Sequence, residues 1–154
     1  MARQRVSRAR PKTTRNAKAG LTATDYKRLA EFRYLLRRFL VFSESAALEA
    51  GLSAQQHQAL LAIKGFADHE HIGVGELAER LGIRHHSAVG LIDRLVANGL
   101  VCRQPNDVDR RQVLIALTPK AESLLAGLSI THQDELKRLA PLLRVLLAHF
   151  EQEP

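Results

Sequence analysis

Apolar residues recur at helical spacing through most of the chain, which predicts a largely helical protein. From Thr24 onward they return every three or four positions, the period expected of a helix with one buried face. These positions are Leu29, Phe32, Leu36, Phe39 and Leu40. A second helix is predicted from Ser53, because Ser53 and Gln56 form a capping-box pair, and Gly65 is expected to close it.

Two shorter helices separated by a tight turn are predicted next. The segment VGELAERLGI is expected to be helical up to Gly82, with one apolar face formed by Val74, Leu77, Ala78 and Leu81. The following helix is predicted from about His86 to Asn98, and Gly99 then takes the C′ position. Its expected buried stripe is Ala88, Leu91, Ile92 and Leu95. Such a pair is either a helix-turn-helix or an ordinary helical hairpin.

A predicted β-hairpin favours the first alternative. The runs LVCRQ and QVLIALT are rich in strand-forming residues, and the polar loop PNDVDRR lies between them. A helix-turn-helix followed directly by such a hairpin is a winged helix, with the loop at the tip of the wing. The predicted fold class is therefore mainly α, a winged helix-turn-helix over about residues 53–118 with a short β-hairpin wing.

The remaining helices are predicted to mediate dimerisation. Thr118-Pro119 opens a helix, with proline in its first turn, and Pro141 is expected to start or kink a final segment. The apolar side of this region comprises Leu124, Leu125, Leu128, Leu142, Leu143, Leu146, Leu147 and Phe150. Since this side and the first helix are more apolar than a small winged helix requires, residues 24–48 and 119–150 are expected to bury their apolar faces against each other or against a second subunit, and dimerisation is the favoured alternative.

The composition fits one folded domain over residues 21–154. The chain has 154 residues, 45% hydrophobic and 25% charged, as in a globular protein. It has no apolar run near the roughly 18 residues that span a bilayer, and its N-terminus lacks the apolar core of a secretory signal. One cysteine excludes an internal disulfide framework. A cytoplasmic location without membrane contact is the simplest expectation.

The net charge of +7 is concentrated at the N-terminus. Residues 1–20 contain seven basic and no acidic residues; removing these seven from the total of 23 leaves 16, equal to the acidic count of 16. We expect a flexible basic arm that neutralises phosphates without recognising sequence, or else a solubilising extension. A transit peptide is the least favoured alternative, because the segment lacks an apolar helical face.

Three motifs in register resemble the MarR family of winged-helix transcriptional regulators. They are the turn L-A-x-x-L-G, the helix end D-R-L-x-x-x-G-L, and D-R-R in the wing before L-T-P-K. The resemblance extends over about residues 24–150 and is most specific over 74–120. It implies a homodimer on a pseudo-palindromic operator in double-stranded DNA, with the second short helix in the major groove and the wing in the minor groove. Many members are repressors released by small aromatic or phenolic ligands.

The helix face left outside the apolar stripe is expected to contact DNA. It carries His86, Val89, Gly90 and Asp93, with Ser87 and Arg94 at its edges. His85 and Ser87 are expected to reach phosphates or base edges, since both can donate and accept hydrogen bonds. His86 is expected to act partly as the helix N-cap. Arg84 and Arg94 are phosphate candidates, unless either pairs with Asp93.

Two positions on this face depart from the family pattern. Val89 and Gly90 stand where relatives often carry Thr and Arg. Valine can contact a thymine methyl group, but glycine offers no side chain, so direct base recognition by this helix is limited. DNA shape and groove width are therefore expected to carry more of the specificity.

The wing loop supplies the remaining predicted DNA contacts. Arg110 and Arg111 are expected in the minor groove or on phosphates, because guanidinium groups favour narrow, electronegative grooves. Asp107 or Asp109 is expected to hold an arginine by a charge-assisted hydrogen bond. The alternative is a solvated turn whose charges pair with each other.

Metal and redox sensing are weaker interpretations. The segment DHEH places His69 and His71 two apart, with Asp68 and Glu70 nearby, but zinc needs three or four converging ligands. His85 and His86 have no metal ligand at helical spacing on either face. Cys102 lies in a wing strand and is expected to be buried and inert, whereas peroxide-sensing relatives carry their cysteine in the first helix.

Neither an enzyme nor a cofactor is predicted, because no nucleophile elbow, P-loop or dinucleotide-binding glycine motif occurs. The resemblance places an effector pocket between the dimerisation helices and the winged helix, which gives Tyr34, Arg38 and His57 as candidates. If no ligand binds, the alternatives are a constitutive repressor or a non-specific, architectural nucleic-acid binder that uses the basic arm. A protein-interaction module with a vestigial winged helix is the least favoured.

Overall fold

The computed structural model describes residues 21–65 and 71–151, in which five helices and three short strands are formed. In chain order they are α1 (Ala23–Glu49), α2 (Ala54–Gly65), β1 (His71–Gly73), α3 (Val74–Leu81), α4 (His85–Ala97), β2 (Val101–Pro105), β3 (Val113–Leu117) and α5 (Pro119–Glu151). The predicted fold class, mainly α with a winged helix-turn-helix, is confirmed. The predicted basic arm, residues 1–20, lies outside the described residues.

Side-chain caps fix the starts of α1 and α2. At α1, Thr22 N donates to Asp25 Oδ2 at 2.7 Å, and Asp25 N donates to Thr22 Oγ1 at 3.2 Å. At α2, Ser53 N donates to Gln56 Oε1 at 2.9 Å, and Gln56 N donates to Ser53 Oγ at 3.1 Å. These reciprocal bonds satisfy N–H groups that have no partner within the helix. The capping box predicted for α2 is therefore confirmed.

The wing is part of a three-stranded antiparallel sheet with strand order β1-β3-β2. Strands β2 and β3 pair from Val101 opposite Leu117 to Pro105 opposite Val113, which confirms the predicted hairpin. Strand β1 was not predicted, because three residues are too few for a periodic pattern. It pairs Ile72 with Ile115 and connects the start of α3 to the wing.

One hydrophobic core holds the winged helix together. The predicted stripe of α4 is confirmed, with Ala88, Leu91, Ile92 and Leu95 each at most 1% exposed. It packs against α2, α3, the sheet and the first turns of α5. Full burial of these aliphatic side chains stabilises the domain and fixes the orientation of the opposite face of α4.

The terminal helices α1 and α5 pack on each other around a smaller cluster of Leu35, Leu139 and Leu146. Much of their apolar surface is exposed: Leu29, Leu36 and Leu40 of α1 are 43%, 40% and 53% exposed. The apolar period predicted for α1 is thus helical, but only part of it is buried within one chain. No helix among the described residues is long and apolar enough to cross a membrane.

Pro141 does not start a new element, contrary to one of the two predicted effects. It lies inside α5, which is assigned as one helix from Pro119 to Glu151. Proline removes one backbone hydrogen bond from a helix interior. Contacts of Leu139 and Leu146 with α1, on both sides of the proline, offset that loss by anchoring the helix.

Candidate nucleic-acid interface

The turn between α3 and α4 sets the position of the second helix. Gly82 has a left-handed backbone with φ of +62°, which favours glycine, and Ile83 N donates to Ala78 O at 3.0 Å. Arg84 is the N-cap of α4 in an extended conformation. The prediction that His86 caps this helix is therefore wrong: the backbone oxygen of Arg84 accepts from Ser87 N and Ala88 N, at 2.9 and 3.1 Å.

The residues that open α4 are exposed to solvent up to Ser87. The side chains of Arg84, His85, His86 and Ser87 are exposed, and the turn contains no acidic residue. A helix N-terminus attracts anions through its free N–H groups and the helix dipole. This end of α4 is therefore a suitable site for a phosphate, with two imidazoles and a hydroxyl beside it as hydrogen-bonding groups.

Further along the same face, Asp93 and Arg94 have different surroundings. Asp93 forms an ion pair with Arg103 of β2, so the predicted alternative in which it pairs with Arg94 is wrong. Both members of this pair are well exposed, and exposed pairs contribute little to stability. Its effect is geometric, since it connects the outer face of α4 with the wing. Arg94 lies over Gly90, where an added Cβ would be 3.7 Å from Arg94 Nη1.

Hydrogen bonds to the backbone order the wing loop. Asn106 Oδ1 accepts from Val108 N at 2.9 Å and from Asp109 N at 3.2 Å, and Asp109 Oδ1 accepts from Arg111 N at 3.0 Å. Asp109 therefore holds the backbone of Arg111, whereas the sequence predicted that an aspartate holds a guanidinium group. Short Asn and Asp side chains commonly stabilise turns in this way.

This loop leaves its basic groups exposed at the tip of the wing. Arg110 and Arg111 are both exposed, and no ion pair among the described residues involves either of them. The alternative prediction, that the arginines of the loop form ion pairs with its aspartates, is therefore wrong. Val108 is 97% exposed beside them.

The start of α4 and the wing line one open cleft. Its volume is about 610 Å³, and its walls include Glu76 of α3, His85 of α4, and Arg111 and Gln112 of the wing. The fold thus brings His85 and Arg111, which are 26 positions apart in sequence, to the same side of the domain. One elongated polyanion can contact both.

Residues at the beginning of α5 hold the other end of α4. Thr118 Oγ1 donates to Gly99 O at 2.8 Å, and Lys120 Nζ donates to Asn98 O at 3.0 Å. A cation near the last carbonyl groups of a helix also interacts favourably with the helix dipole. These bonds connect the C-terminal end of α4 directly to α5. The sequence predicted Thr118 and Pro119 only as a helix start and gave no sign of these contacts.

The residues predicted for an effector pocket do not all lie together. Tyr34 and Arg38 line a shallow cleft of about 390 Å³ with Arg37, Phe42 and Glu135, and the Arg38 guanidinium carbon is 5.9 Å from the Tyr34 ring centroid. This distance allows a cation–π contact. His57 does not line that cleft.

His57 is instead buried, at 4% exposure, where α1, α2 and α5 meet. Its ring centroid is 4.7 Å from that of His132, whose Nδ1 is 2.7 Å from Leu128 O and whose Nε2 is 2.8 Å from Ser43 Oγ. Since a carbonyl oxygen only accepts, Nδ1 carries a proton, and in neutral His132 the Ser43 hydroxyl donates to Nε2. Burial, and secondly the nearby His132, lower the pKa of His57. The sequence gave no signal for His132.

Cys102 is exposed, so the prediction that it is buried is wrong. Strand β2 is an edge strand, and only Val101 on it is buried; Cys102 pairs with Ala116 of β3 but remains exposed at this edge. His71 lies in β1, while Asp68, His69 and Glu70 lie outside the described residues. Within the described ranges, no group of three or more His, Cys, Asp or Glu side chains is placed to hold a metal ion.

Comparisons with known proteins show that the winged helix is similar in sequence, and the whole chain similar in fold, to known transcriptional regulators. A sequence model described as the MarR family matches residues 50–112. A curated protein of Bacillus subtilis, the uncharacterized HTH-type transcriptional regulator YfiV, is 36% identical over 76 residues. That match covers 49% of this chain and 48% of YfiV, so the similarity spans about half the length of each.

Two solved structures extend the similarity to the terminal helices. One is AbsC, a MarR family transcriptional regulator from Streptomyces coelicolor. Its superposition on this chain has a TM-score of 0.66, covers 88% of this chain and 100% of AbsC, and shows 17% sequence identity. The other is a MarR mutant from E. coli that was crystallised with operator DNA. Its superposition on this chain has a TM-score of 0.60, covers 79% of this chain and 91% of the MarR chain, and shows 23% sequence identity. At these identities the solved structures show a common fold.

Proposed function

We propose that this chain, whose winged helix is a MarR family domain, is a homodimeric transcriptional regulator that binds double-stranded DNA through α4 and the wing. The observation that carries the proposal is the cleft between His85 and Arg111, which combines an exposed helix N-terminus with a basic, ordered loop. The relative crystallised with operator DNA supports it by sharing the fold.

The two basic regions would have different roles on DNA. The N-terminal turn of α4 would enter the major groove, where Arg84 holds a phosphate and His85 and Ser87 contact phosphate or base edges. Arg110 and Arg111 would reach the adjacent minor groove, in which guanidinium groups are attracted by a narrow, electronegative surface. Val89, which is 37% exposed, would contact a thymine methyl group.

The terminal helices would form the dimer. Exposed large apolar side chains on α1 and α5 are Tyr26, Leu29, Tyr34, Leu36, Leu40, Val41, Leu48, Ile130, Leu136, Leu142, Val145 and Leu147. So many exposed apolar side chains on two helices support an interaction site, and a second copy of the same helices is its simplest occupant. A two-fold axis would place the two α4 helices on successive turns of the duplex.

Binding by the full chain and by a chain starting at Gly20 tests the proposal. Each is titrated at about physiological salt with DNA from upstream of its own gene and with random duplex, since non-specific binding is weak there. The shorter chain should still prefer the upstream DNA. Loss of all binding without residues 1–19, and no preference among fragments, would instead establish a non-specific binder that uses the seven basic residues of the arm.

Repression released by an aromatic ligand is the second part of the proposal. The cleft of Tyr34, Arg37 and Arg38 pairs an aromatic ring with two guanidinium groups, which suits an aromatic carboxylate or phenolate. A panel of benzoates and phenols is titrated against the dimer–DNA complex. Dissociation by one compound, abolished in Arg38→Gln, is expected. If no compound dissociates the complex, the chain is a constitutive regulator.

A further inference from the structure

Gly90 leaves a gap in the face of α4 that is directed toward DNA in the proposed function. It follows the exposed turn of His85, His86 and Ser87 and lies beside Val89 on the same surface. Among the described residues, and apart from the adjacent residues and the backbone of α4 itself, Arg94 alone lies within 4 Å of the position that a Cβ on Gly90 would occupy. The space above this position is therefore open except for one guanidinium group.

Helix geometry explains why Arg94 occupies this space. Side chains on an α-helix are inclined toward its N-terminus, so a residue covers the surface about one turn before its own Cα. Arg94 is four residues after Gly90, and its Nη1 lies 3.7 Å from the position of the missing Cβ. Its guanidinium group is thus displaced toward the N-terminal half of α4, where base contacts are made in helix-turn-helix proteins.

The Arg94 guanidinium has no partner among residues 21–65 and 71–151, which the structure describes. Its neighbour Asp93, which would be the obvious partner, is paired with Arg103 of β2. No ion pair or side-chain hydrogen bond among the described residues involves Arg94, and its side chain is exposed. The wing strand, by binding Asp93, leaves all five N–H groups of Arg94 available to a ligand.

We propose that Arg94, lying across Gly90, recognises a guanine in the major groove and is a specificity-determining residue of this chain. The guanidinium fork matches O6 and N7 of guanine, which together accept two hydrogen bonds. From the sequence, Gly90 was expected to limit base recognition because it has no side chain. In this proposal, the space that Gly90 leaves allows the Arg94 guanidinium to reach the bases. The inference rests on the proposed DNA-binding function and assigns it a base preference.

Selection of preferred sites from a random duplex library tests this proposal. The wild-type dimer should select one guanine at the same position in each half-site. In Arg94→Ala that preference should disappear, and affinity for the selected site should fall by about 5- to 150-fold per half-site while affinity for a site lacking the guanine changes little. Arg84→Ala is the comparison variant, because a phosphate contact should weaken all sequences uniformly and reduce the salt dependence.

Gly90→Leu provides a second, independent variant. Leucine favours a helix more than glycine does and fills the space over position 90, so the fold should be retained while Arg94 is displaced. Loss of the guanine preference with Arg94 still present is the expected result. Circular dichroism and thermal unfolding verify that each variant is folded.

Two outcomes would overturn the inference. If Arg94→Ala weakens every sequence equally and leaves the selected site unchanged, Arg94 is a phosphate contact, and the proposed regulator function still stands. If the wild-type chain selects no sequence at all, the proposed function fails and the assignment of Arg94 fails with it.

Discussion

The winged helix and the terminal helices use the same kinds of apolar residue with opposite results. In α4, the four side chains of the predicted stripe are at most 1% exposed, whereas Leu29, Leu36 and Leu40 of α1 remain 40–53% exposed. On α5, Val145 is 76% exposed. The winged helix is complete within one chain. The terminal helices bury a narrow seam and leave a surface that a second chain can cover.

Because of this difference, the two regions should govern different properties, the stability of each chain and the association of two chains. Substitutions in the winged-helix core should act on the folding of each chain, and substitutions on the outer faces of α1 and α5 should act on association. In the proposed function DNA binding depends on both, because the winged helix would hold the DNA-contacting groups and the dimer would set their spacing.

The largest effect is expected from charges placed on the exposed face of α5. Leu142→Asp together with Val145→Asp should convert a dimer to folded monomers, since an unpaired charge buried at an interface costs about 3–5 kcal/mol. Analytical ultracentrifugation measures the mass, and circular dichroism measures helix content. Val108→Asp at the wing tip, 97% exposed, adds charge outside these helices and should leave the mass unchanged. A double variant that remains dimeric would place the interface elsewhere.

A core substitution in α4 is expected to act on folding by about 2–5 kcal/mol. Leu95 is fully buried, so Leu95→Ala leaves a cavity that the surrounding side chains fill only in part. Urea denaturation gives the free energy of unfolding. Leu147→Ala on α5, where leucine is 45% exposed, should cost much less under conditions that keep the chain monomeric. Equal losses in the two variants would contradict the contrast between the regions.

Removing a wing arginine should weaken DNA binding without changing stability. A hydrogen bond to a charged group contributes about 1.5–3 kcal/mol, so Arg111→Ala should lower affinity by that amount. The slope of log affinity against log salt should decrease by about one per lost phosphate contact. Fluorescence anisotropy over a range of salt concentrations measures both. Unchanged affinity and slope would show that the wing does not touch DNA.

The smallest effect concerns the buried His57, which lies against His132 where the two regions meet. The lowered pKa of His57 means that, below its ordinary value of 6.5, the unfolded chain takes up a proton that the folded chain resists. The free energy of unfolding should therefore decrease as pH falls from about 6.5 toward the folded-state pKa. His57→Phe should flatten that part of the profile of Tm against pH. An identical slope in both proteins would show that His57 does not titrate differently on folding.

The regular parts of the winged helix could be predicted because each is specified locally. The capping box of Ser53 and Gln56, the left-handed Gly82 and the apolar stripe of α4 each need only a few neighbouring residues. Strand β1 was missed because its three residues are defined by pairing with β3, far away in sequence. Cys102 was misplaced because the sequence of a strand does not show which strand lies at the sheet edge.

The candidate site was predictable in composition but less so in geometry. The sequence indicated Arg84, His85, Ser87 and the wing arginines as one basic surface. It did not indicate that Asp109 binds a backbone N–H or that Asp93 binds Arg103. It also did not place His57 against His132. All three depend on contacts between elements, for which spacing along the chain carries no information.

A hydroxyl-radical footprint of the chain starting at Gly20, on DNA from upstream of its own gene, tests the central claim most directly. The account predicts two protected half-sites about one helical turn, or roughly 34–36 Å, apart, with further protection where the wings reach the minor groove. Protection by the full-length chain alone, or protection without two-fold spacing, would contradict a dimer that binds DNA through α4 and the wing.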